Sequence, residues 1–298
     1  MNHGPLIFLG VLASFVTSWW VLIFAPQTQI GSQPVAATDS GLYPMRRAGL
    51  AEQGHLIYVQ NGCAHCHSQQ VRQEGYTFNL TLTAVGTNPV AVAKALARIA
   101  PELKADAILS GTSDKNPQTI LKDVAQSAAE AAQKRLKAAG ATAQVVFLPL
   151  GVDLSRGWGS RRNVGADYLY DSPVQTGNSR LGPDLSNYGN RAPSASLILA
   201  KLYDPHSVLP GSIMPAHRFL FETRPVGRKP SPQALQLASS AAAKPGFEIV
   251  PTEAALQLVA YLQSLRSDAP LFEAPAAPAP STTAEAASTP APTATPKP

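Results

Sequence analysis

Two cysteines, Cys63 and Cys66, stand three positions apart, and a histidine follows at once in the run Cys63-Ala64-His65-Cys66-His67. They are the only cysteines among the 298 residues, so a multi-bridge disulfide framework and a four-cysteine zinc site are both excluded. C-x-x-C-H is the attachment motif of a c-type haem. Two thiols on one turn can add to the two vinyl groups of a porphyrin. The next residue then offers iron a neutral imidazole nitrogen. A thioredoxin-like redox pair shares the C-x-x-C spacing. It needs a strand before the motif and a helix that starts near the first cysteine. Here the expected helix, residues 50–62, runs into the motif instead. We therefore expect one haem c held by two thioethers, with His67 as its proximal ligand. His65 is expected to face away from the iron.

The second axial ligand follows by elimination. Of three methionines, Met1 begins the chain and Met45 precedes the motif. Met214 sits late, in Pro210-Gly211-Ser212-Ile213-Met214-Pro215, on a loop stiffened by prolines. A thioether there suits a distal ligand, with His206 and His217 as competitors that would lose its potential-raising effect. The other ring N–H of His67 needs an acceptor. The Pro183 carbonyl in Arg180-Leu181-Gly182-Pro183-Asp184-Leu185 is the candidate, with Gly182 allowing close approach. Arg156, Trp158, Arg161, Arg162 and Arg180 form a basic cluster. Arg162 and Trp158 are the members expected to meet the haem propionates, and a docking face is the other reading.

The elements around these residues are uneven. The first 38 residues carry no Lys, Arg, Asp or Glu, and Leu6–Ala25 is twenty residues without an ionisable group. At about 1.5 Å per residue that run spans about 30 Å, a bilayer's hydrocarbon thickness. A cleavable signal with Val35-Ala36-Ala37 as its cleavage site is the alternative. It is opposed by a run longer than the roughly 7–15 residues of a signal core and by the lack of a basic residue before it. Residues 1–26 are read as an anchor and 27–49 as a tether. Residues 50–85 and 151–266 are the haem-bearing part, closed by a helix over Glu253–Arg266 capped by Thr252. Residues 86–150 read as an insert, either a small α/β unit or an Ala-rich helical pair. Asn88-Pro89 and Asn116-Pro117 are its expected helix starts, and 107–109 and 145–148 its candidate strands. The tail, 267–298, holds eight prolines in 32 residues and reads as disordered. The charged fraction of 14% and net charge of +5 argue against a highly charged nucleic-acid binder.

CAHCHSQQVR, DYLYDSPVQTGNSRLGPDLSNYG and LYDPHSVLPGSIMPAHRFL, in that order after one anchor, resemble the membrane-anchored monohaem subunit of cbb3-type cytochrome c oxidases. The likeness covers roughly residues 1–80 and 151–222. It implies a cytochrome c-like haem domain, so with the N-terminal transmembrane helix, the small α/β or helical insert and the disordered tail read from the residues above, the expected fold class is mainly α. It also implies His/Met ligation and an electron path to a separate catalytic subunit that holds b-type haem and copper. A dihaem subunit or a soluble cytochrome c would stand nearby, and no nucleic acid is involved. The chain itself would hold no oxygen-reducing site. The insert and the tail depart from the family's pattern.

Haem attachment to C-x-x-C-H in such proteins takes place on the periplasmic side of a bacterial cytoplasmic membrane. That implies an anchor running inside to outside, although Arg46 and Arg47 on the outer side and the bare N-terminal flank run against the basic-residue rule. Two other functions share the motifs: a membrane-tethered shuttle cytochrome and the cytochrome subunit of a nitric oxide reductase. A haem-based sensor would need an open sixth position. No phosphate-binding glycine loop, H-E-x-x-H motif or nucleophile elbow is found.

Overall fold

The computed structural model describes residues 3–31, 36–38, 41–113, 116–191, 194–237 and 243–276. Met1, Pro34 and Val35, and with them part of the alternative cleavage site, lie outside the described residues. So do residues 277–298 of the expected disordered tail.

The chain begins with α1 (Gly4–Trp19), passes through a π-helical turn (Trp20–Phe24) and continues as α2 (Ala25–Gly31). Gly4–Gln29 holds an 18-residue stretch of mean hydropathy 2.2 and is long and apolar enough to cross a membrane. None of the α1 side chains is buried, so this apolar surface finds no partner among the described residues. Ser14 and Thr17 return their hydroxyls to the carbonyls of Gly10 and Ala13, at 2.9 and 2.7 Å, which keeps their polarity inside the helix. A small antiparallel pair follows, β1 (Ala36–Thr38) with β2 (Gly41–Tyr43).

The described chain divides into two compact units, one of residues 3–77 and 147–276, the other of residues 78–146. In the first, α3 (Leu50–Gln60) leads to the Cys63–His65 turn. The strand β3 (Gly75–Ala84) then leaves for the second unit. There it is followed by α4 (Pro89–Ile99), α5 (Ala105–Gly111), β4 (Gln118–Val124), α6 (Gln126–Ala138) and β5 (Thr142–Leu150). The chain re-enters the first unit through the short α7 (Val152–Ser155). It continues into α8 (Ala195–Tyr203), α9 (Pro205–Val208), β6 (Phe221–Pro225), β7 (Phe247–Pro251) and α10 (Glu253–Ser264).

The core of the first unit is the crossing of α3 and α10. Ala255, Leu258, Val259, Tyr261 and Leu262 are the buried residues of α10, and Tyr58 meets them from α3. Ile198, Leu199 and Leu202 of α8 join the same cluster. The approach of α3 to α10 is close because Gly54 lacks a side chain; a Cβ there would lie 1.9 Å from the backbone oxygen of Gln257. Thr252 caps α10, its Oγ1 accepting from the Ala255 amide at 3.4 Å. β6 and β7 pair antiparallel beside it, Phe221 opposite Pro251.

The second unit is a three-stranded sheet in the order β4-β3-β5 with its own core of Leu80, Leu82, Val92, Leu96, Ile120 and Leu136. Asn88 caps α4, as its sequence position predicts. Two expectations fail. Ala107–Leu109 belongs to α5, not to a strand, and the chain after Asn116-Pro117 forms β4, the helix waiting until Gln126. Apolar residues at 120 and 124 are too few to separate period 2 from period 3.6.

The expected mainly α class is thus corrected to mixed helix and sheet, since β6, β7 and the three strands of the second unit join the helices. The tether is shorter than expected. Tyr43 donates to Asp167 Oδ1 at 2.6 Å, and Arg47 pairs with Asp171 and donates to Ser264 Oγ at 3.1 Å. The start of the expected disordered tail is packed. Ala274 is buried, and the Ala269 carbonyl accepts from the buried Arg161 at 2.5 Å. The Leu271 and Ala274 amides and carbonyls also pair with each other, and proline is tolerated between such pairs because it has no amide hydrogen to satisfy.

Candidate functional site: an apolar cavity behind the Cys-x-x-Cys-His turn

The C-terminal end of α3 places the motif. Gly62 turns left-handed at φ 63°, and Cys63–His65 winds as a 3₁₀ turn. The amides of Cys66 and His67 both donate to the Cys63 carbonyl, at 3.2 and 3.0 Å. Cys63, Cys66 and His67 all reach a cavity of about 470 Å³, whereas the exposed His65 is not among its lining residues. Leu185, Ile198, Leu202, Leu258 and Leu262 give it an apolar wall.

His67 Nδ1 lies 2.8 Å from the Pro183 carbonyl. A carbonyl only accepts, so Nδ1 carries the proton and Nε2 keeps its lone pair. Burial pushes the imidazole below its ordinary value, with the Pro183 bond and the Asp184 charge pulling the other way. A neutral ring with a free Nε2 is the form that binds a metal. Gly182 is the cradle: a Cβ on it would lie 2.3 Å from His67 Cε1. Burial pushes the Cys63 thiol up to about 11. That is the opposite of a redox-active thiolate, which sits low beside a helix N-terminus.

Met214 is half-buried on the loop after α9, packs against the core and lines the same cavity. Its amide donates to Ser212 Oγ at 3.3 Å, and the loop is tied down where the His217 amide meets the Leu202 carbonyl at 2.8 Å. His217 also lines the cavity, while His206 is exposed and does not. The cavity therefore gathers two thiols, an imidazole and a thioether within an apolar wall. That donor set fits a thioether-linked porphyrin with two axial ligands.

Trp158 and Arg162 are not brought to this cavity. Trp158 lies between Arg156 and Arg180, with the guanidinium carbons 4.9 and 5.8 Å from its ring centroid. Arg162 donates to the Glu273 carbonyl at 2.7 Å, and Arg180 pairs with Asp153 at 2.5 Å. These side chains are committed to joining loops. Lys201 is the fixed cation among the described residues that line the cavity.

A family model described as "Cytochrome C oxidase, mono-heme subunit/FixO" matches residues 143–244. The chain resembles the monohaem subunits of cbb3-type oxidases. The match spans the Gly182-Pro183 loop and Met214, and the Cys63–His67 motif precedes it. No curated protein matches the chain.

The monohaem likeness leaves one part of the site that sequence reasoning passes over. Asp184 stands in the Gly182-Pro183 loop, where spacing assigns it no role, and it is fully buried. Its oxygens accept from Ser68 Oγ at 2.6 Å, Gln70 N at 2.7 Å, and Ser186 N and Oγ at 2.9 and 2.6 Å. Gln69 is buried as well and donates to the Tyr261 hydroxyl at 3.0 Å. The signal in the sequence is the uncharged polar run Ser68-Gln69-Gln70 directly after the motif, of which Ser68 and Gln69 are buried.

Proposed function

We propose that this chain is a membrane-anchored electron carrier with one c-type haem, serving a cbb3-type haem–copper oxidase. The observation that carries the reading is the convergence of Cys63, Cys66, His67 and Met214 on one apolar cavity. Cys63 and Cys66 form the two thioethers. His67, oriented by Pro183, and Met214 would hold the iron between them. The bound iron supplies one-electron exchange between ferrous and ferric states. The chain's own part is to fix the group's position, to exclude water with the leucine-rich wall, and to keep His67 neutral. Lys201, on the wall, takes the propionate-neutralising role first expected of Arg162 and Trp158.

The Gly4–Gln29 helix anchors the chain in a bacterial cytoplasmic membrane with the haem unit on the periplasmic side. Its partners are the catalytic haem b/copper subunit and a dihaem cytochrome subunit, with a soluble cytochrome c as a further donor. A tethered shuttle or a nitric oxide reductase subunit is the alternative.

The test is purification of the chain from membranes in mild detergent. The expected result is a mass equal to the polypeptide plus one porphyrin, with a haem–copper subunit in the same complex. A colourless chain of bare polypeptide mass would overturn the haem assignment. A haem-loaded chain that purifies alone would favour the shuttle.

A further inference from the structure

Asp184 has the wrong chemistry for an ordinary loop residue. It is 0% exposed. It accepts four hydrogen bonds, from Ser68, Gln70 and twice from Ser186, and donates none of them. The Gln70 and Ser186 amides can only donate, one to each carboxylate oxygen, an arrangement that favours the ionised form. Among the described residues no side-chain cation forms an ion pair with it. Arg191 comes nearest in role, since its guanidinium donates to the Asp184 backbone carbonyl.

Its location gives this charge a function. Ser68 follows His67, and Asp184 follows Pro183. Two neighbouring hydrogen bonds therefore join 67–68 to 183–184: the imidazole to the Pro183 carbonyl, and the Ser68 hydroxyl to the Asp184 carboxylate. The negative charge sits one residue away from each partner of the proximal contact. Coulomb energy in a weakly polarisable interior falls off slowly, so such a charge is felt at the metal. A nearby anion stabilises the more positive oxidation state.

We propose that Asp184 is a fixed buried anion that biases the haem iron toward the ferric state, lowering the potential that His67 and Met214 alone would set. This rests on the haem reading above. Arg191, whose guanidinium donates to the Asp184 backbone carbonyl, partly offsets it. The charge of Asp184 also acts on the His67 ring, pulling its pKa up against burial.

The experiment is a spectroelectrochemical titration of the full-length, haem-loaded chain and two variants. Asp184→Asn keeps the shape and removes the charge. It is expected to shift the ferrous-to-ferric ratio at a given potential tenfold or more toward ferrous, a rise of about 59 mV for one electron. Arg191→Gln leaves the carboxylate and its four donors in place and is expected to move the midpoint the opposite way. An unchanged low-spin spectrum in both variants shows that the axial ligands are intact.

A haem-loaded Asp184→Asn chain with that spectrum and a midpoint equal to wild type overturns the inference alone. If that variant does not accumulate, Asp184→Ser is titrated in its place, and a midpoint equal to wild type overturns the inference. A wild-type chain that carries no covalent haem overturns the haem reading first, and this inference with it.

Discussion

Two residues compete for the sixth position, and each makes a different prediction. Met214 and His217 both line the cavity. Met214→Ala is expected to keep covalent haem but lose the weak far-red absorption of ferric iron bound to a thioether. His217→Gln is expected to keep it. If wild type lacks the band, and the low-spin spectrum is unchanged in Met214→Ala but lost in His217→Gln, His217 is the ligand. His217 also has an acid signature, because burial pushes it below its ordinary value. With the folded value depressed, the unfolded chain takes up a proton first as pH falls below about 6.5. Stability is therefore lost as pH drops from there toward the folded value. Thermal midpoints measured at about pH 7.5 and 5.5 are expected to differ less in His217→Gln than in wild type; equal differences would remove His217 from this role. At this scale the sequence is informative. Cys63, Cys66, His67, Pro183 and Met214, which the structure gathers on one cavity, stand out in the sequence because the attachment and ligation we propose for them demand fixed residue types. Asp184 is not legible, because burial of a carboxylate is a property of folding, not of spacing.

Helices with strong ends are also legible, and short strands are not. α3, α4 and α10 begin and end close to where their caps and glycines predict. β6 and β7 escape notice because no tight turn joins them: they are separated by residues 226–246, so no hairpin signal exists in the sequence. Partners far apart in the chain can be identified only when tertiary packing brings them together. The α3–α10 crossing gives the clearest element-scale prediction. Gly54→Ala must force the helices apart, because its Cβ would meet the Gln257 carbonyl. A loss of about 1–3 kcal/mol is expected, as for overpacked cores, read as a lower denaturant midpoint. The haem spectrum should change with it, since the motif hangs from the end of α3. An unaltered midpoint would show that the contact is not tight in solution.

For the whole molecule, the informative feature is how the second unit is attached. Its residues, 78–146, carry their own core. The chain leaves and re-enters the first unit at adjacent points: the Glu74 amide donates to the Leu150 carbonyl at 2.8 Å, and the Tyr76 and Phe147 rings stack 5.8 Å apart. Removing Phe78–Val146 and bridging Thr77 to Phe147 with a short linker is expected to leave haem attachment intact. The thermal midpoint of the first unit should change by less than about 4 °C. Loss of haem loading would show that the insert helps to fold its host. Composition sets residues 86–150 apart, whereas the compact unit runs over 78–146, and β3 and β5 continue as strands on both sides of its boundary.

That neck has a use beyond respiration. Where a polypeptide departs and returns at one bonded pair, the entropy of closing the host's loop depends only weakly on what lies between. The position is a socket. A fluorescent reporter or an affinity tag with neighbouring termini could be seated there, and the protein followed in living cells without touching the Gly4–Gln29 helix or the Cys63–His67 turn.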